Sequence, residues 1–212
     1  MRVECAKLDL VSTVDLVSHI QAEVERRSEG YTYLECSNHL ETLFFSFTAE
    51  LRKNAFFRIA TDKEKYFERD DLFGADVSRA FTKCVDEVRN AGNCYALEQY
   101  EASAFHSMRV LERGLRALAA KFGVPFNNAT WNTVIEQTEK QIRKMDSGFG
   151  PDWKVQQKFY AQAATHFMFL KDAWRNHIMH VDDTPYDAGR AFSVLDHVRQ
   201  FMQALAEGGL TD

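Results

Sequence analysis

Residues Cys94–Phe122 read C-Y-A-L-E-Q-Y-E-A-S-A-F-H-S-M-R-V-L-E-R-G-L-R-A-L-A-A-K-F, and this stretch decides the fold. Met108, Leu111, Leu115, Leu118 and Phe122 recur at steps of 3 or 4 without a miss, the spacing of one face of an α-helix. Beside that stripe run Arg109, Arg113 and Arg116. Glu112 sits one turn before Arg116, the favourable order for an i,i+4 pair. The arginines either hold phosphate or form a solvated face tied up in weak surface ion pairs.

Outward from this stretch the chain stays helical. Upstream, Ser12–Glu29 is a helix with Ser12 as cap, Leu16, Val17, Ile20 and Val24 as stripe and Gly30 as stop. Thr32–Ile59 follows, with Leu40, Leu43, Phe44, Phe47 and Leu51 on one face. Phe45, Phe56 and Phe57 fall outside that face. This aromatic surplus points either to a broad core within the chain or to contact with another surface, the second half of the chain or another subunit. The charge-dense Thr61–Phe73 reads as a loop or short exposed helix. Ala75–Asn90 is a helix with Val77, Phe81, Cys84 and Val88 inward, and Ala91-Gly92-Asn93 reads as a break. The expected division is an N-terminal helical region over 1–90 and a helical bundle over 91–212.

Downstream, Gly123-Val124-Pro125 stops the long helix and Thr130 starts another through about Met145. In that helix Trp131, Val134, Ile135, Thr138, Ile142 and Met145 point inward. Asp146–Asp152, with two Gly and a Pro, is a loop. Trp153–Val181 is helical. Thr184 caps a last helix with Pro185 at its first position, a stripe of Ala191, Leu195, Val198, Met202 and Leu205, and Gly208-Gly209 at its end. The sequence shows no repeat, no low complexity and no convincing strand.

Composition narrows the class. The 212 residues are 45% hydrophobic with 17 Phe, enough for an aromatic core, while three Pro and 10 Gly are too few for an all-β fold. A formal net charge of −5 argues against broad coating of nucleic acid but leaves room for a local basic patch. Cys5, Cys36, Cys84 and Cys94 form no C-x2-C pair, and they read as reduced thiols rather than a disulfide frame or zinc site. No apolar run is long enough to span a membrane and the N-terminus lacks the apolar core of a secretory signal. A cytoplasmic protein without membrane contact is therefore expected.

The densest collection of polar groups lies at Lys171–Val181, K-D-A-W-R-N-H-I-M-H-V. On a helical wheel with Arg175 at zero, Asp172 falls near about 60°, Asn176 near about 100° and His180 near about 140°. Leu170, Trp174, Ile178 and Val181 take the other side, with His177 among them. One arc thus collects a guanidinium, a carboxylate, an amide and an imidazole. These types suit metal-free RNA cleavage. Histidine transfers protons near neutrality, and arginine matches phosphate oxygens with a permanent charge. His177 and His180 face apolar and polar sides respectively, which argues against a shared metal. P-loop, G-x-G-x-x-G, H-E-x-x-H and G-x-S-x-G motifs are absent, so no cofactor is expected. The alternative for Arg175 and His180 is a cationic cap on a helix C-terminus.

Arg175-x4-His180, with Asn176 directly after the arginine, resembles the R-x4-6-H signature of the HEPN superfamily. Tyr95–Phe122 resembles the early long helix of that superfamily, and Tyr186–Ala206 supplies a closing helix. The resemblance covers roughly residues 92–207. It implies an all-α, HEPN-like antiparallel helical bundle with an N-terminal helical extension. It also implies a homodimer in which two copies of Arg175 and His180 face one cleft, acting as a metal-independent endoribonuclease of a defence or toxin system. His180 would be general acid/base, Arg175 would stabilise the phosphorane, and Asn176, Asp172 and Glu112 would support them. RNA or a nucleotide would meet Arg109, Arg113 and Arg116, and an antitoxin or regulatory protein would be a further partner. Asp182 stands where related toxins carry a modified tyrosine, which argues against regulation of that type; Tyr186 is nearby but out of register. The alternative is a HEPN-like module that binds nucleotide, RNA or a protein partner without cutting.

Overall fold

The computed structural model describes residues 2–27, 29–127, 129–172 and 186–212. All regular structure among them is helical, and no helix there is long and apolar enough to cross a membrane. The chain forms two compact units, Met1–Phe57 and Arg58–Asp212. The division expected between residues 90 and 91 falls instead inside a helix, and residues 58–90 cluster with the C-terminal unit.

The first unit holds α1 (Arg2–Lys7), α2 (Val11–Arg26) and α3 (Tyr33–Leu51). Helix α2 ends ahead of Gly30, and Ser12 does not cap it. The cap arrives from α3. The Glu50 carboxylate accepts the Ser12 amide at 2.9 Å, the Thr13 amide at 2.8 Å and the Thr13 hydroxyl at 2.6 Å, taking up N–H groups that a first helical turn leaves unpaired. Thr13 also meets Ser46 at 3.2 Å, and farther along the pair Arg27 binds Glu35 at 2.8 Å. Helix α3 therefore faces α2 with a polar row, Glu35 to Glu50. Its expected apolar stripe is only partly covered: Leu43, Phe47 and Leu51 are half-buried, Leu40 and Phe44 exposed. Phe45, Phe56 and Phe57 are exposed too, so of the two readings of the aromatic surplus the broad internal core is not the one the described residues form. Helix α3 opens on a capping box between Thr32 and Glu35. It stops at Leu51 rather than running to Ile59.

The second unit begins with a short 3-10 turn, Glu64–Tyr66, inside the charge-dense stretch, whose last residue Phe73 is fully buried. Helix α4 (Ala75–Ala80), a 3-10 turn (Thr82–Cys84) and α5 (Val85–Ala96) follow. Val77, Phe81, Cys84 and Val88 are buried, as their spacing predicts. Then come α6 (Tyr100–Lys121), α7 (Trp131–Ile142), α8 (Trp153–Leu170) and α9 (Ala188–Glu207). Helix α6 is the hub and contacts α5, α7, α8 and α9. Its partner α5 runs antiparallel, since Ser103 donates to the Ala91 carbonyl at 2.8 Å and His106 meets Glu87. Helix α8 also runs antiparallel to it, with Tyr160 against Phe122 and Phe167 near Gly114. The stripes expected on α7 and α9 are buried. The cap of α9 is Asp187, which accepts the Arg190 amide at 2.8 Å; the cap expected at Thr184 lies outside the described residues.

Two corrections concern helix ends. The helix expected over Cys94–Phe122 is broken at Leu97–Gln99. Gln99 N–H donates to the Cys94 carbonyl at 2.8 Å and Glu98 N–H to the Tyr95 carbonyl at 3.2 Å, with Glu98 at φ 62°. This is a Schellman stop with glutamate in the left-handed position that glycine usually fills. Lys63 holds the Glu98 carboxylate at 2.8 Å and the Tyr100 hydroxyl at 2.7 Å, and both bonds raise its pKa well above the ordinary lysine value. Conversely, Ala91-Gly92-Asn93 is not a break but lies mid-helix in α5. A Cβ on Gly92 would come 2.4 Å from the Tyr66 carbonyl oxygen and 2.7 Å from Leu72. Gly92 is there for close approach of the 3-10 segment, not for a turn.

Gly92→Ala should destabilise the second unit by about 1–3 kcal/mol, the usual range for overpacking, read from urea melts against the parent. Acid should act on the first unit. Hydrogen bonds from Thr13, then Ser12, hold Glu50 at about 2, and those from Arg27, then Thr32, hold Glu35 at about 2, both against 4.5. Their folded values are depressed, so their stabilisation is full above about pH 4.5 and is lost as pH falls toward 2. In Glu50→Gln the acid-side loss of helicity, followed by circular dichroism, should shrink; an unchanged acid limb would refute the assignment.

Candidate functional site

Arg175, Asn176 and His180 lie outside the described residues, as do His177 and Asp182. The described flank of that stretch is the end of α8, where Lys171 still has right-handed helical backbone at φ −59° and ψ −49°. Asp172 binds Lys171 at 2.6 Å, and Lys171 also donates to Asn132 of α7 at 2.5 Å. Lys171 thus ties the end of α8 to α7, and Asp172 pairs with that lysine. On the far flank, the Tyr186 hydroxyl is buried with no hydrogen-bond partner among the described residues, and burial pushes its pKa up to about 12.

The other candidates share one face of α6. Arg109, Glu112, Arg113 and Arg116, together with Phe105 and His106, which the sequence did not single out, fall within an arc of about 120°. Their roles differ. Arg116 donates to Glu112 through Nε at 2.9 Å and Nη2 at 2.7 Å, and stacks on Phe126 at 4.0 Å. Glu112 and Arg116 therefore satisfy each other, as the i,i+4 spacing allows. Arg113 is half-buried and makes no ion pair among the described residues. Arg109 meets the Glu87 carboxylate, Nε to Oε1, at 2.6 Å.

Glu87 is the residue that sequence reasoning missed. From α5 it holds two α6 side chains at once: its second oxygen takes His106 Nδ1 at 2.7 Å. An ionised carboxylate only accepts hydrogen bonds, so Nδ1 carries a proton, and in the neutral ring Nε2 keeps its lone pair to accept. No hydrogen bond to Nε2 occurs among the described residues. The Glu87 side chain is 15% exposed, His106 26% and Arg109 52%, so the carboxylate lies beneath and the two bases stand outward. Phe105, 46% exposed, lies edge-on to His106 at 5.8 Å, with the Arg109 guanidinium 5.9 Å from its ring centre. Phe105-His106-x-x-Arg109 on one helix face is legible in sequence, but the Glu87 that binds them is not. Cys84 nearby is no nucleophile, because burial pushes its thiol up to about 12.

The described concavities lie elsewhere, one of about 380 Å³ beside Pro125 carrying Lys140, Arg143 and Lys144. A groove of about 760 Å³ between α8 and α9 is lined largely by Phe159, Phe169, Leu170 and Phe201, with His166 stacked on Phe201 at 5.3 Å. A cleft of about 390 Å³ near Phe192 contains Arg69 and Arg199, but these pair with Asp71 and Asp196. Among the described residues no group of three or more His, Cys, Asp or Glu is placed to hold a metal ion. No protein-family model matches the chain, and no curated protein or solved structure matches it either.

Arg116→Ala should cost about 0.5–1.5 kcal/mol, the sum of an exposed i,i+4 pair and a surface cation–π contact. The ion-pair share should vanish in molar salt, a dependence readable from denaturant melts at two ionic strengths.

Proposed function

We propose that the chain is a metal-independent endoribonuclease of the HEPN type, acting as a homodimer in a defence or toxin system. The observation that carries this reading is the sequence Arg175-x4-His180, with Asn176 beside the arginine and Asp172 three residues before it. The helical fold of the second unit among the described residues supports it. A general base takes the proton from a ribose 2′-OH, and the 2′-oxygen bonds to phosphorus. The bond from phosphorus to the 5′-oxygen then breaks, and an acid protonates that oxygen. The products are a 2′,3′-cyclic phosphate and a 5′-hydroxyl. His180 serves in the proton transfers and Arg175 neutralises charge on the phosphorane. Two copies of the pair in one dimer would supply base and acid together.

One observation favours a second reading, a nucleotide- or RNA-binding module that does not cut. Glu87, His106 and Arg109 form a preorganised polar cluster that needs neither Arg175 nor His180.

Incubation of the purified protein with mixed tRNA and single-stranded RNA, with EDTA present, separates the two. The enzyme reading requires cleavage with cyclic-phosphate ends that falls at least about a hundredfold in His180→Ala, the scale of lost acid–base help. Intact RNA with both proteins, or equal cleavage by both, would reject it.

A further inference from the structure

The α5–α6 face holds a set of groups that ion pairing alone does not require. A single salt bridge would join the two helices, yet one carboxylate divides its two oxygens between an imidazole and a guanidinium on successive turns of α6. The result is directional. In the neutral ring His106 is the tautomer whose Nε2 accepts. Arg109 is held by Nε, and its terminal nitrogens lie on an exposed side chain. Arg113 stands one turn farther along the same face. Two guanidiniums stand over the one carboxylate of Glu87, and Phe105 offers an exposed aromatic surface beside them.

We infer that this face is a ribonucleotide-binding site. Arg109 and Arg113 take the phosphate, His106 Nε2 accepts a hydrogen bond from the ribose 2′-hydroxyl, Phe105 stacks on the base, and Glu87 positions both His106 and Arg109. Each assignment follows from chemistry on the face. Guanidinium edges fit phosphate oxygens. A neutral imidazole nitrogen with a free lone pair selects a donor, and the 2′-hydroxyl is the donor that distinguishes RNA from DNA. An exposed ring accepts any base, since every base has a π-face. Arg116 is excluded, because Glu112 takes both its Nε and its Nη2. The site rests on the nucleotide-binding reading and not on cleavage by Arg175 and His180. The ribonucleotide is either free or part of a single strand; the recognised chemistry is the same.

Titration of the full chain with AMP, dAMP, inorganic phosphate and a six-nucleotide oligoadenylate, by calorimetry at low salt, tests the site. AMP should bind about tenfold more tightly than dAMP, the scale of one satisfied hydrogen bond. In His106→Leu the ratio of AMP to dAMP affinity should fall to about one, the loss of the single 2′-hydroxyl hydrogen bond. Arg109→Gln should weaken both nucleotides about tenfold or more, and Phe105→Leu should weaken nucleotides but not inorganic phosphate. A stronger response to the hexamer than to AMP would identify single-stranded RNA as the source, and an equal one the free nucleotide. The His106 ring resonance, assigned by its loss in His106→Leu, should shift when AMP is added to the unsubstituted protein. That shift tests the site without relying on how any variant folds. If AMP binds and neither the resonance nor the variants respond, the site is wrong while the binding reading stands. Equal affinity for AMP and dAMP, or for AMP and phosphate, would also overturn it. If neither AMP nor the hexamer binds, site and reading fall together.

Discussion

The second unit depends on side chains of α8 and α9 converging on α6, and at Gly114 they fill the space a methyl would take. A Cβ there would stand 2.9 Å from Leu205, 2.9 Å from Met202 and 3.3 Å from Phe167. Hydrogen in place of a methyl lets α9 and α8 meet the same turn of α6. Ser103, Ala104, Ser107, Ala117 and Ala119 are buried on the same helix and keep its girth small. The two serines spend their hydroxyls on backbone carbonyls, Ser103 on Ala91 and Ser107 on Ser103, so their burial leaves no unpaired polar group. A helix enclosed in this way presents little surface to solvent. What remains outward is the arc bearing Phe105, His106, Arg109 and Arg113, and packing on the other sides holds that arc in place.

Much of the helical framework was legible because the chain marks its inward faces with unbroken apolar steps. The stripes of α6, α7 and α9 are buried where the spacing places them. Failures came where backbone geometry or distant partners decide. Glu98 terminates α5 in a conformation that glycine signals and glutamate does not, so α5 and α6 read as one helix from Cys94. Gly92 read as punctuation because a sequence does not show the carbonyl of Tyr66 pressing on it. Helix α3 misled in a different way. Its apolar stripe is regular, but the contacts to α2 run through Glu35, Ser46 and Glu50, since the unpaired amides of Ser12 and Thr13 need an acceptor more than Phe44 needs cover.

The candidate site divides along the same line. Arginines at steps of 4 and 3 announce a shared face, and the pairing of Arg116 with Glu112 follows from local spacing. That Arg109 belongs with His106 depends on Glu87, and only the antiparallel packing of α5 on α6 supplies it. Local sequence gave the members of the cluster on one helix, while the element that orients them came from tertiary structure.

Lys63 offers a last consequence. The stretch from Thr61 to Phe73 is so rich in charge that its members look interchangeable, and most stand in solvent. Lys63 is different, with 12% of its side chain exposed and its ammonium shared between Glu98 and Tyr100. Replacing Glu98 with glycine would relieve the left-handed backbone and in the same stroke deprive the Lys63 ammonium of its carboxylate, so two positions 35 residues apart answer to a single substitution.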